Sequence, residues 1–234
     1  MAKMTFSQRD LRELPAYGLT EAAAYLRLPP STLRAWLLGQ PYRGAGGSPK
    51  FFKPVIEIAD RKERQLSFIN LVEAFVLAGI RREHEIPLPK VRRAVDYLRR
   101  TFKTNRPLAE EQFETDGVDL FVEKMGALIG ATQEGQMQMR DIIRARLQRV
   151  HRDPKGIPEK IVLFQGRRSV PGSADVVIDP RLSFGRPVLD RLGVRTAVLA
   201  ERFDAGDDID VLAREYDAPP EAIQNAIRCE RRAA

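Results

Sequence analysis

LTEAAAYLRLPPSTLRAW, residues 19–36, sets an alanine-rich turn of helix before two prolines and restarts at once with Ser31-Thr32-Leu33-Arg34. Thr20 is suited to cap a first helix, and Glu21 to sit in its first turn. Ala23, Ala24 and Leu26 give that helix an apolar face, and the alanines let a second helix approach closely. Pro29 and Pro30 then stop it. Ser31 is a natural N-cap for the next helix, whose apolar positions Leu33, Trp36 and Leu37 are spaced by three and four. Two short helices joined by a tight turn form a helix-turn-helix.

The second helix carries the candidate contacts. With Leu33, Trp36 and Leu37 inward, Thr32, Arg34 and Ala35 face outward. A guanidinium fork such as that of Arg34 can take guanine bidentately or hold a phosphate, and the Ser31 and Thr32 hydroxyls suit phosphates or base edges. A helical hairpin that binds nothing is the plainer reading of the isolated motif. The residues C-terminal to it favour nucleic acid. FFKPVIEIADRKERQLSFINL (51–71) has an apolar, β-branched run, a charged tip at Asp60-Arg61-Lys62-Glu63-Arg64, and a helix opening near Ser67. That order predicts a basic wing, with Arg61, Lys62 and Arg64 at the backbone phosphates. Between helix and wing lies the glycine-rich GQPYRGAGGSPKFF (39–52); Arg43 can touch DNA from it, a mobile loop being the equal alternative.

Two further helices are predicted. One is apolar at Phe68, Leu71, Val72 and Phe75; the other starts near Pro89 and is apolar at Val91, Ala94, Val95, Leu98 and Phe102. The opposite face of the latter, with Lys90, Arg92, Arg93, Arg99, Arg100 and Lys103, reads as solvated and stays outside the site.

Charge supports this division. The net charge of +7 is uneven: residues 1–105 hold 19 Lys and Arg against 10 Asp and Glu, residues 106–175 hold 11 against 11, and residues 176–234 hold 9 against 11. A positive first segment suits a polyanionic partner, a solubilising surface being the bland alternative. The length of 234 residues suggests two or three domains, and 43% hydrophobic with 30% charged residues is ordinary globular composition. No apolar run is long enough for a membrane span and MAKMTFSQRD lacks a signal core, so a cytoplasmic protein is expected. Cys229 alone builds no disulfide framework.

The middle of the chain shows no chemistry. Asp116-Gly117 between short β-prone runs predicts a hairpin. MQMRDIIRARLQRV reads as a helix with Met139, Ile142, Ile143, Leu147 and Val150 on one side, either core or dimer seam. KIVLF (160–164) is a second β-prone run, and GRRSVPGS a linker.

IDVLAREYDAPPEAIQNAI (209–227) then repeats the opening pattern. Ala213, Tyr216, Ala218, Pro219-Pro220 and Ile223 fall where Ala23, Leu26, Leu28, Pro29-Pro30 and Leu33 fall. The charge is inverted. Residues 201–224 contain eight acids against Arg202 and Arg214, and Gln224 stands at the place of Arg34. Phosphate repels such a surface. We expect a protein-binding or dimerising module, with Asp207, Asp208, Asp210, Glu215 and Glu221 as the partner-binding candidates. Catalysis finds no support. His84 and His151 have no metal-ligand spacing, and no P-loop, dinucleotide fingerprint or nucleophile elbow is present. No catalytic residue, metal or cofactor is expected.

The fold class expected is mainly α with a minor β component: a winged helix-turn-helix over 1–105, a small α+β segment over 106–173 that is a candidate for dimerisation, and an acidic helical domain over 174–234. EAAAYLRLPPSTLRAW, the wing, and LSFINLVEAFVLAGIRREHEIPLPKVRRAVDYLRR resemble the MerR-like regulators over roughly 17–103. That resemblance implies a dimer on operator DNA, the second helix in the major groove and the wing on the backbone. Arg27 replaces the turn glycine of that family, which implies a differently built turn. No cysteine cluster is present for metal sensing. Ile178-Asp179-Pro180, Phe184-Gly185-Arg186-Pro187, Arg195-Thr196 and Gly206-Asp207 resemble a small domain of unknown function found in bacterial antitoxins, over roughly 174–230, with Asp190–Gly193 lengthening one link. Together the two resemble a VapB-type antitoxin, which implies autorepression at operator DNA and neutralisation of a PIN-domain ribonuclease toxin. A MerR-like regulator whose C-terminal part binds a small ligand or dimerises is the alternative.

Overall fold

The computed structural model describes residues 10–43, 48–84, 87–167 and 169–231; residues 44–47 of the glycine-rich stretch and the side chain of His84 lie outside that description. The architecture is built around α3 (Phe68–His84). Residues 68–80 are buried without a break, so the helix is wrapped on every side rather than along the one stripe that Phe68, Leu71, Val72 and Phe75 suggest. Against it pack α1 (Leu19–Leu26) and α6 (Gln133–Leu147). The helix α5 (Val118–Ile129) bridges α6 to α4 (Leu88–Phe102). The chain is mainly α with a minor β component, as its sequence indicates.

Strand pairing ties distant pieces together. The short β1 (Tyr17–Gly18) pairs antiparallel with β4 (Gln65–Leu66), closing the helix-turn-helix onto the start of α3. β2 (Gln40–Arg43) pairs with β3 (Pro49–Phe52) as a hairpin. A four-stranded antiparallel sheet runs in the order β5 (Val150–Arg152), β6 (Pro158–Phe164), β7 (Val176–Ile178), β8 (Val188–Leu189). Two of its strands precede residue 174 and two come after it. The C-terminal helices α7 (Thr196–Asp204), α8 (Ile209–Glu215) and α9 (Pro220–Glu230) complete the chain, and α9 lies on β6, β7, β8 and α1. One continuous apolar core therefore extends from Tyr17 to Cys229.

Two expectations are corrected. Asp116-Gly117 makes no hairpin: Phe113–Gly117 is a π-helical turn that runs directly into α5. Phe113, Val118, Phe121, Val122 and Met125 recur at helical spacing and are buried, and this period outweighs the turn signal. Gly117 serves close packing there, since a Cβ would stand 2.8 Å from Phe113 Cδ2 and 2.9 Å from Phe102 Cε2. The run after Phe52 is also not a wing strand. Pro54 cannot donate to a ladder, and the Val55 and Ile56 amides donate instead to Trp36 O at 2.7 and 3.1 Å, burying both side chains. The hairpin is made by the glycine-rich stretch before it.

Candidate nucleic-acid interface

The helix-turn-helix is built from local rules, with its caps placed differently from the sequence reading. α1 begins at Leu19, so Thr20 is inside it; Gly18 is the N-cap, and its amide donates to Glu21 Oε2 at 3.2 Å. α2 (Pro30–Leu38) has Pro29 as N-cap and Pro30 in its first turn, so Ser31 caps nothing. Arg27 adopts φ 54°, ψ 47°, the left-handed residue that a helix C-terminus commonly assigns to glycine. Its amide and that of Leu28 donate back to Ala24 O (3.0 Å) and Ala23 O (2.9 Å). The turn keeps a left-handed residue and places a long cation there.

On α2, Ser31 and Arg34 are exposed and Thr32 is half-buried, while Leu33, Trp36 and Leu37 are fully buried. Ala35 is corrected: it is 8% exposed. Its neighbours Leu33, Trp36 and Leu37 are themselves buried, and a one-carbon side chain does not reach past them. The outward face is therefore Ser31, Thr32 and Arg34.

Arg43 is exposed on the hairpin, opposite Pro49. The strands also display Tyr42 stacked on Phe52 at 3.8 Å, Phe51 at 53% exposure, and exposed Lys50, with Lys53 just beyond. Cations interleaved with aromatic rings suit a nucleic-acid backbone and bases. Lys50 and Lys53 escaped the sequence reading, although two short β-prone runs around a glycine-rich break are a hairpin signal.

Arg61, Lys62 and Arg64 project from a separate tight turn. Asp60 and Gln65 exchange backbone hydrogen bonds at 3.0 Å, and Asp60 Oδ1 accepts from the Lys62 and Glu63 amides at 2.9 Å. Arg64 closes the turn at φ 55°. Arg61 shares a groove of ≈ 480 Å³ with Lys53, Arg92 and Arg99, floored by Leu37 of α2 and Ile56. Arg99 is structural, bonded to Asp96 (2.9 Å) and to Val55 O. Arg92 lies 5.4 Å over Phe52, and burial lowers its pKa. The face of α4 read as merely solvated thus walls the groove beside the turn.

The second motif repeats the first in detail. Asp217 is left-handed at φ 48°, Ala218 N donates to Ala213 O at 2.9 Å, and Ala222 and Ile223 donate to Pro219 O as Thr32 and Leu33 donate to Pro29 O. Its acids are partly compensated. Arg202 pairs with Asp207 (2.7 Å) and Glu215 (2.5 Å), and Arg167 with Glu221 (3.3 Å). Asp208 and Asp210 are exposed at the start of α8. Among the described residues no group of three or more His, Cys, Asp or Glu is placed to hold a metal, and no helix is long and apolar enough to cross a membrane. Cys229 is buried, which pushes its thiol up to about 12, out of the reactive range.

Residues 15–95 match the family described as "Putative DNA-binding HTH domain", and residues 176–228 match "Protein of unknown function (DUF433)". The chain is 29% identical over 231 residues to "Putative antitoxin VapB45" of Mycobacterium tuberculosis, covering 92% of this chain and 93% of that one. The chain is similar to a VapB-type antitoxin along nearly its whole length. It is also 24% identical, over 94% of its length, to "Uncharacterized protein Rv2308" of the same organism. The crystal structure of Rv2018 from M. tuberculosis has the same fold, with a TM-score of 0.65, 24% identity, and 92% and 98% of the two chains covered.

Proposed function

We propose that this chain is a DNA-binding antitoxin: residues 1–105 repress their own operator, and residues 174–234 meet and neutralise a PIN-domain ribonuclease toxin in the cytoplasm. The observation that carries the DNA reading is the outward face of α2, Ser31, Thr32 and Arg34, on a chain whose cationic hairpin and Arg61–Arg64 turn come directly after it. Arg34 reads a base edge; Lys62, whose side chain is 92% exposed, contacts phosphate. One short helix reads few base pairs, so the active species is a homodimer on an inverted repeat. The acidic segment suits a toxin that must display Lys and Arg to hold RNA, with Asp208 and Asp210 supplying field and orientation.

The test uses the full chain. It is bound to DNA from upstream of its own reading frame and to scrambled DNA, and co-expressed with the adjoining frame. Equal affinity for the two DNAs removes the reader; an adjoining product that neither co-purifies nor loses ribonuclease activity removes the antitoxin.

A further inference from the structure

The turn Ser183–Gly185, between β7 and β8, carries the most exposed large apolar side chain among the described residues, Phe184 at 95%. Its backbone is also disfavoured. Ser183 (φ 46°), Phe184 (φ 56°) and Gly185 (φ 75°) follow one another in the left-handed region. The glycine has a reason: a Cβ on Gly185 would collide with Tyr17 Oη, so the turn needs close approach to β1. The phenylalanine has none of that kind. A bulky residue is a conformational outlier there, and glycine makes the same turn with less strain.

Single exposed apolar side chains are ordinary. One that is both exposed and conformationally disfavoured gives the fold neither packing nor an easier backbone, and such outliers cluster at functional sites. The turn is also firmly held. Leu182 N donates to Asp179 O at 3.0 Å, Gly185 N to Leu182 O at 2.8 Å, and Arg186 N to Ser183 O at 3.1 Å. Arg186 pairs in turn with Glu21 of α1. A ring on a fixed backbone loses little further freedom when a partner takes it. Leu182, 40% exposed, stands two residues away and enlarges the apolar contact.

Charge beside the turn selects the partner. Pro180 and Arg181, which lead into it, line an open groove of ≈ 450 Å³ together with Asp10 and Arg12. Arg12 is shared there by Asp10 and Asp153, each at 2.6 Å, and Arg181 by Asp179 (2.6 Å) and Glu159 (2.9 Å). Two guanidiniums against four carboxylates leave the groove with two uncompensated negative charges. Such a surface repels DNA. A second copy joined through this face about a two-fold axis sets like charge against like. A protein with an apolar pocket rimmed by Lys or Arg is attracted.

We propose that Phe184 is the anchor by which this chain holds a basic partner protein, its ring in an apolar pocket and the acidic groove against the cationic rim of that pocket. The proposal rests on the antitoxin reading, in which that partner is the toxin. Asp208 and Asp210 then act on encounter, and Phe184 on residence.

The full-length chain and its Phe184→Gly variant are compared in four ways. Surface-plasmon kinetics follow binding to the purified product of the adjoining frame, and anisotropy follows binding to the upstream DNA. Sedimentation and thermal unfolding complete the set. We expect the variant to dissociate from the product roughly thirtyfold faster or more. Its DNA affinity and oligomeric state stay as they are, and its unfolding temperature holds or rises, since a strained residue has been relieved. A wild-type chain that does not bind the product overturns both this proposal and the antitoxin reading. Equal binding by wild type and variant overturns this proposal and leaves that reading standing. A variant that changes its oligomeric state also overturns it, because the ring's occupant is then a second copy. A fall in unfolding temperature of more than about 4 °C does the same, because the ring then serves the fold.

Discussion

On α2, Arg34 stands exposed and nothing in the fold crosses the face it shares with Ser31 among the described residues. At the corresponding place on α9, Gln224 is half-buried between Ile223 and Asn225, and the helix is gripped by α7, α8, α1 and three strands. The two turns use the same hydrogen bonds and the same left-handed residue, Arg27 in one and Asp217 in the other. Identical local geometry therefore serves a candidate reader in the head and a structural brace in the tail. The acids differ in the same way. The head hides Glu73 wholly inside α3, whereas Asp208, Asp210 and Glu215 of the second motif lie exposed at the surface.

The largest effect is expected where the two motifs are alike. Leu33→Ala and Ile223→Ala each empty a fully buried position at the start of the second helix. Each should cost about 2–5 kcal/mol in denaturant unfolding. A small loss at Ile223 alone would show that the tail is not braced as the head is.

The hidden acid gives a pH signature. Both carboxylate oxygens of Glu73 are buried, and this burial raises its pKa to about 8 from an ordinary 4.5. The folded state thus favours the protonated form. Stability is complete below pH 4.5 and is lost as pH rises toward 8, by at most about 1.4 kcal/mol per pH unit. Glu73→Gln should flatten this dependence, raising the urea midpoint at pH 8 and leaving it unchanged near pH 4. A parallel decline in both proteins would assign the loss to other groups.

The readers should separate cleanly. Arg34→Ala is expected to cost about 1–3 kcal/mol on the preferred DNA sequence and to relax base preference, while Gln224→Ala changes affinity by less than about 0.5 kcal/mol. Lys62→Ala should weaken all sequences alike and reduce the salt slope by about one unit. Fluorescence anisotropy across a salt series measures all three, and an effect at Gln224 equal to that at Arg34 would erase the contrast.

The smallest effect concerns the surface acids. Asp207, Glu215 and Glu221 already face arginines within the chain. Such exposed pairs add only about 0–1 kcal/mol. Reversing Asp208 and Asp210 to lysine should slow association with the basic toxin by roughly tenfold at low salt and alter dissociation little. Stopped-flow association that is indifferent to the reversal would move the toxin surface elsewhere.

The legibility of each feature depends on the range of the force behind it. Thr32 and Arg34 are found because prolines and three-four spacing act within one helix, but Ala35 is misplaced because its burial depends on what surrounds α2. The wing is shifted because Pro54 and the pull of Val55 and Ile56 toward Trp36 decide where strands pair. Asp116-Gly117 misleads because a two-residue turn signal competes with a longer apolar period whose weight appears only once Phe102 packs on it.

By itself the sequence determined the two helix-turn-helices, the opposite charge of the two ends and the mainly α class. Capping, proline stops, apolar periodicity and charge are properties of residues near each other in the chain. Only the tertiary structure decided that α9 is gripped while α2 stays open, that strands on both sides of residue 174 share a sheet, and that the turn at Gly185 settles on Tyr17 and leaves Phe184 outside. Those outcomes depend on which apolar faces find each other across more than a hundred residues, and burial free energy scales with contact area, whatever the separation in sequence.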